Sequence, residues 1–225
     1  MLLAVDTSTP NMGLALVNDG RVVAEFIWAG KAMHTVELAP TVNELFRKTG
    51  IGPKDLDGIG VAIGPGSFTS LRVGLSFVKG LAFARGIPVA AINSLQVLAA
   101  GVMVAKEIPM LCTLPAGRGR HACGNFQYTP RKKWHPVDEP IIRTAKEIAE
   151  TETEPILFCG DMSAEERAEL KANTAITLMD PIFCVRRPAV LGTLAEKKIS
   201  KGLADELFSL APAYLHIANP IPASQ

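Results

Sequence analysis

No stretch of the chain limits its fold more than Gly58 to Pro88, GIGVAIGPGSFTSLRVGLSFVKGLAFARGIP. Ile59, Val61 and Ile63 alternate with small residues, the pattern of a half-buried strand. Gly64-Pro65-Gly66 breaks that period. Two glycines admit positive φ and the proline between them fixes its own, so the backbone turns tightly before Ser67. Ser67 is placed as a helix N-cap, and Phe68, Leu71, Leu75, Val78 and Ala82 follow at spacings of three and four, up to a stop at Gly86-Ile87-Pro88. Ser70, Gly74, Phe77, Leu81 and Ala84 make a second apolar stripe. A glycine in mid-helix costs roughly 1 kcal/mol against alanine unless a close neighbour offsets it. A helix with two apolar stripes is buried twice, either inside one fold or once against its own sheet and once against a partner subunit.

The flanking sequence supplies the rest of a sheet. Leu2 to Val5 reads as a buried strand stopped by Asp6-Thr7-Ser8-Thr9-Pro10. Gly13 to Val17 and Arg21 to Trp28 are two more strands joined at Asp19-Gly20, a hairpin signal. Thr35 to Lys48 is a helix with Thr35, Leu38, Val42 and Leu45 on one stripe, and Pro40 is expected to bend it or delay its start. His34 ahead of it reads as a capping or surface residue. Val89 to Ile92 is a strand, and Asn93 or Ser94 caps a helix to about Met103. A restart of the βα pattern near Glu107-Ile108-Pro109 divides the chain into lobes 1–106 and 107–225.

In the second half Pro115 to His121 reads as a hairpin turn followed by a return strand to Tyr128. Arg131-Lys132-Lys133-Trp134-His135 is either a solvated tip or a basic patch with one aromatic for a nucleic acid. Glu139 to Glu150 is a helix candidate, Pro155 to Cys159 a strand, Ser163-x-x-Glu166 a capping box, Ile176 to Met179 a strand, and Ala189 to Ile199 a helix. Asn219 to Gln225 reads as a loose tail.

Composition excludes several classes. Among 225 residues, 23 basic against 22 acidic leave a net charge of +1, so no global field draws the protein to nucleic acid or membrane. No apolar run reaches the roughly 18 to 20 residues of a membrane span. Cys112, Cys123, Cys159 and Cys184 are widely spaced, without a CxxC pair or a leader ahead of Leu2, so reduced thiols in a cytoplasmic protein are expected.

GPGSFTSLR at Gly64 to Arg72, with KGLA after it, resembles the bacterial TsaB (YeaZ) family of tRNA threonylcarbamoyladenosine biosynthesis, also classed as M22 glycoprotease-like. LLAVDTST at the start, HTVELAP at His34 to Pro40, INSL at Ile92 to Leu95 and PAYLH near the end fit the same family. Ser70 stands where the family usually has glycine, Pro115 and Arg120 where it has an acid and a glutamate, and His216 where arginine is common. The resemblance implies the two-lobed α/β fold of the actin, sugar kinase and chaperone (ASKHA, ribonuclease H-like) superfamily, with a βββαβα first lobe onto which the last segment packs back.

The superfamily places an aspartate after its first strand beside nucleotide phosphates and metal, so Asp6, Gly64, Gly66 and Ser67 are the vestigial cofactor positions. Their plain alternative is a turn that satisfies its own amides. A Walker loop needs a lysine that GPGSFTS lacks, and only the single Gly160 stands for the adenine loop of nucleotide-binding relatives. His34, His121, His135 and His216 form neither an i, i+4 metal pair nor HExxH, and no residue set for a peptidase is present. The expectation is therefore a subunit with no catalytic residues and no tightly bound cofactor or metal. It would pair through Thr35, Leu38, Val42, Leu45, Ser70, Gly74, Phe77 and Leu81 with a TsaD-like catalytic subunit. A TsaE-like ATPase would join them, and the chain would form a homodimer when alone. ATP and metal would sit on the partners, and tRNA would be reached through the complex. The alternative is a small ATP-dependent phosphotransferase.

Overall fold

The computed structural model describes residues 1–30, 33–103 and 108–215. The expected boundary at 106/107, His216 and the tail from Asn219 lie outside them. The chain opens with β1 (Leu2–Asp6), β2 (Asn11–Asn18) and β3 (Arg21–Ala29), then α1 (His34–Thr49), β4 (Gly58–Ala62), α2 (Phe68–Arg85), β5 (Val89–Ile92) and α3 (Ser94–Ala100). This is the βββαβα order followed by one more strand and helix. Strands run β3-β2-β1-β4-β5, with β1 antiparallel to β2 and parallel to β4.

The second half repeats that plan. It holds β6 (Met110–Gly117), β7 (Arg120–Thr129), β8 (Lys133–Pro136), β9 (Ile141–Thr144), α4 (Ala145–Thr151), β10 (Ile156–Gly160), α5 (Ala164–Lys171), β11 (Ile176–Leu178) and α6 (Pro188–Ser200). Its sheet runs β11-β10-β6-β7-β8, with β9 also on β7, and β6 is again antiparallel to the next strand and parallel to the one after a helix. Two such sheets with interleaved helices are the two-lobed ASKHA architecture.

Layering follows from the apolar pattern. β1 is buried on both faces, which is why it reads as an unbroken apolar run. Leu3 and Val5 meet Leu38, Val42 and Leu45 of α1 and Leu75, Val78 and Ala82 of α2. Leu2 and Ala4 face Ala189, Leu191 and Ala195 of α6 on the other side. The helix sits close because the sheet is small-faced there: a Cβ on Gly60 would come 2.6 Å from that of Ala195. Leu95 and Leu98 of α3 pack on the second sheet against Met110, Phe126 and Trp134, and α4 and α5 cover its far side through Ile148 and Leu170.

Several local expectations change. α1 starts at His34 and runs on through Pro40, because the ring lies on the exposed face and the carbonyl of Val36 left without a donor is on the exposed side too. His34 itself is buried, its Nε2 2.9 Å from the Thr9 carbonyl. Ser67 holds the N-cap position of α2 but its Oγ accepts from Ser70 Oγ, not from a helix amide. The expected helix from Glu139 begins only at Ala145, since Ile141–Thr144 pairs with β7 and Thr144 with Glu147 forms the capping box.

Candidate functional site

Asp6 ends β1 at the bottom of the cleft between the two halves, with 2 % of its surface exposed. Its Oδ1 accepts from the Ser8 amide at 2.8 Å and from Ser8 Oγ at 2.7 Å. Its Oδ2 accepts from Arg186 Nε at 2.8 Å, and Arg186 Nη2 donates to Thr9 Oγ1 at 2.7 Å. Arg186 comes from the crossover into α6 and is itself buried. Both carboxylate oxygens are thus engaged by the protein.

The glycine turn is equally occupied. The Gly64 amide donates to Ser94 Oγ at 3.1 Å, Ser94 Oγ lies 2.6 Å from Ser8 Oγ, and the Ser67 amide donates to the Ser8 carbonyl at 2.7 Å. The cavity directly beside Asp6 is about 100 Å³, lined by Asp6, Asn11, Gly160, Asp161, Arg167 and Arg186 among others. A nucleotide takes a pocket of roughly 300 Å³ or more. A guanidinium stands where a cation would meet Asp6, so the nucleotide and metal that the superfamily implies do not fit this site. The hydrogen bonds of Asp6, Gly64 and Ser67 support the turn alternative, and at Gly66 a Cβ would collide with the Ser8 carbonyl oxygen.

Arg186 carried no motif, yet a signal was present. Two arginines directly before Pro188 sit at a helix N-terminus, where positive charge is unfavourable. Each answers to a carboxylate from the first sheet: Arg186 to Asp6, and Arg187 to Glu25.

The expected interface residues divide. Leu38, Val42 and Leu45 are 2, 3 and 0 % exposed and belong to the core. Ser70 and Gly74 lie against Thr7, whose Oγ1 donates to the Ser70 carbonyl and leaves no room for a side chain at 74. Phe77 and Leu81 are half-buried against the same core, and Thr35 alone of the set is exposed. Apart from Phe68 and Ala84, which are exposed, the two stripes on α2 merge into one wide buried face because the turn after β1 climbs onto the helix. Solvent meets a third stripe instead: Phe68, Arg72, Ser76 and Phe83, the two phenylalanines 50 and 69 % exposed. Beside it Thr35, Phe68, Thr69, Arg72, Val73 and Ser76 line a groove of about 410 Å³ between α1 and α2.

The basic hairpin keeps its charges outside and its aromatic inside. Trp134 is 6 % exposed and donates Nε1–H to the Val102 carbonyl at 3.0 Å, so it offers no face to a base. Pro115 and Arg120 flank the β6–β7 turn, where Arg120 pairs with Thr144 of β9 and the neighbouring His121 Nε2 lies 2.8 Å from Glu166 Oε1. Burial raises the Glu166 carboxyl, but the bonds from His121 and the Ser163 amide outweigh it and hold the group below its usual range. Among the described residues no cluster of three metal-binding side chains exists.

Comparison with known proteins gives this geometry its context. The model of the family "TsaD: tRNA N6-adenosine threonylcarbamoyltransferase" matches residues 22–154. The tRNA threonylcarbamoyladenosine biosynthesis protein TsaB of Bacillus subtilis is 31 % identical over 224 residues, which are 97 % of this chain and 95 % of that protein. The chain belongs to the TsaB family. A tRNA N6-adenosine threonylcarbamoyltransferase of Nitratidesulfovibrio vulgaris is 36 % identical over 138 residues, 54 % of this chain but only 38 % of that enzyme. YeaZ from Pseudomonas aeruginosa shares the fold, with a TM-score of 0.74 over 94 % of this chain and 99 % of that one at 22 % identity. The TsaB likeness covers 97 % of the chain, whereas the TsaD family model matches residues 22–154, the part that runs from β3 through α1 and α2 to α4.

Proposed function

We propose that this chain is the non-catalytic subunit of a complex that makes threonylcarbamoyladenosine at adenosine 37 of tRNAs reading ANN codons. The observation that carries this reading is the Asp6–Arg186 pair, a buried ion pair in a cavity of about 100 Å³, in a member of the TsaB family. Where the superfamily holds nucleotide, this protein holds its own guanidinium, so ATP and metal belong to partner subunits. The transfer itself falls to a TsaD-like subunit, with a TsaE-like ATPase joining the pair, and tRNA is engaged through that assembly in the cytoplasm. No helix among the described residues is long and apolar enough to cross a membrane.

Docking uses the solvent face of α1 and α2, with Phe68, Arg72, Ser76 and Phe83 at its centre and Thr35 at its edge. Exposed aromatic side chains on an otherwise polar surface are the usual anchors of protein contacts. The family model spans both helices, so a TsaD-like subunit presents a related pair and the two chains meet as pseudo-symmetric halves. The same face makes the homodimer when the partner is absent.

The test is co-purification with the TsaD-like and TsaE-like subunits, followed by a tRNA modification assay with and without this chain. Modification is expected only with all subunits present. Calorimetry of the isolated chain with Mg-ATP is expected to show no binding at micromolar concentration. Micromolar binding would instead favour the phosphotransferase.

A further inference from the structure

After α6 the chain doubles back over α2 as a strap, Asp205 to Leu215, with a turn at residues 207–209. Asp205 anchors one end: it bridges Val89 of β5, and its carboxylate accepts from the Ala91 amide and from Lys198 Nζ, both at 2.7 Å. The Ala213 amide fixes the other end on the Ile63 carbonyl at 2.7 Å, beside the glycine turn. Between them Leu207 and Leu210 pack against the core.

The strap's aromatic residues do not follow its leucines inward. Phe208 and Tyr214 are 73 and 42 % exposed. Each lies on an exposed aromatic of α2: Phe208 edge-on to Phe83 at 6.0 Å, Tyr214 stacked on Phe68 at 5.0 Å. Cations tie them down. Lys79 Nζ donates to the Phe208 carbonyl at 3.1 Å, and Arg72 lies 3.7 Å over the Phe68 ring while its Nε donates to Tyr214 Oη at 3.1 Å. The four exposed aromatics therefore line α2 as two pairs, one at each end of the helix, each pair half from α2 and half from a segment far along the sequence. A packed core has no use for such pairs, and their rigid rings are suited to a second surface.

This surface is also cationic. α2 carries Arg72, Lys79 and Arg85 and no acid. Of the strap's carboxylates, Asp205 is paired with Lys198, while exposed Glu206 accepts from the amides of Phe208 and Ser209 at 3.0 and 2.6 Å and offsets part of the charge of Lys79, so the surface keeps an excess of cations through Arg72 and Arg85. We propose that the strap is the second half of the docking face, and that the two aromatic pairs meet an apolar protein surface bearing carboxylates on the TsaD-like subunit. This rests on the reading of α1 and α2 as the docking face.

The test measures affinity for the purified TsaD-like subunit using the full chain. It compares the wild type, a Phe208→Ser/Tyr214→Ser strap variant and a Phe68→Ser/Phe83→Ser helix variant, with circular dichroism and thermal unfolding to confirm the fold. Phe208→Lys serves if the double strap variant unfolds, since that side chain is largely in solvent. Both strap and helix variants are expected to bind about tenfold or more weakly, and wild-type binding to weaken as salt is raised. Wild-type affinity in the strap variant with loss in the helix variant overturns the strap's role and leaves the docking face standing. Wild-type affinity in both overturns the docking face itself. Loss of the homodimer alone, with the hetero-complex intact, assigns the aromatic pairs to a second copy of this chain and overturns the proposal.

Discussion

At the scale of single residues, the Asp6–Arg186 pair decides most. Its attraction offsets the cost of desolvating two charges, so its net contribution is small, but neither group tolerates losing the other. Arg186→Ala is expected to destabilise the protein by about 3–5 kcal/mol, measured by urea unfolding, because a carboxylate with 2 % exposure is left uncompensated. The Asp6→Ala/Arg186→Ala double variant is expected to recover part of that loss, a coupling that independent sites would not show. Glu166 gives a pH-dependent counterpart. Its folded pKa lies below the unfolded value, so the stability it contributes is present above about pH 4.3 and is lost as pH falls through the folded pKa. Thermal unfolding of Glu166→Gln is expected to depend less on pH below about 4.3 than that of the wild type. A curve parallel to the wild type's would remove Glu166 from this role.

At the scale of elements, α2 was legible from end to end, since its period, glycine turn and C-terminal glycine all appear in the sequence. The structure ends it at Arg85, with Gly86 in the left-handed region. What its period did not reveal is which stripe stays wet. Ser70, Gly74, Phe77 and Leu81 read as a face for a partner, but the Thr7 turn reaches over Ser70 and Gly74, a contact between distant segments that no local pattern encodes. α1 shows the same limit: Leu38, Val42 and Leu45 were correctly read as an apolar stripe and incorrectly given to another subunit. Leu45→Ala is accordingly expected to cost about 2–5 kcal/mol in unfolding free energy, and Thr35→Ala less than about 0.5. β9 was lost inside a helix reading because its four residues count for little until β7 lies beside them. Arg186 was missed for a similar reason, its partner lying 180 positions away.

At the scale of the whole molecule, the two halves share their parts. α6 belongs to the second half of the sequence but covers the first sheet, where it meets Leu2, Ala4, Ala15 and Val17. A fragment of residues 1–106 lacks that cover and exposes the apolar face around Gly60. It is expected to be unfolded or aggregated by circular dichroism and light scattering, while the full chain unfolds in a single cooperative transition. A soluble, folded fragment would overturn this expectation.

The late position of α6 also reaches into biogenesis. A ribosome adding about 5–20 residues per second needs about 5 to 20 seconds to travel from the end of β5 to the end of α6. During that interval the opening sheet has one side still waiting for its lid. Nascent chains paused there are natural clients for a chaperone that shields greasy strands, and synonymous changes that slow decoding between these points would lower yield without altering a single side chain.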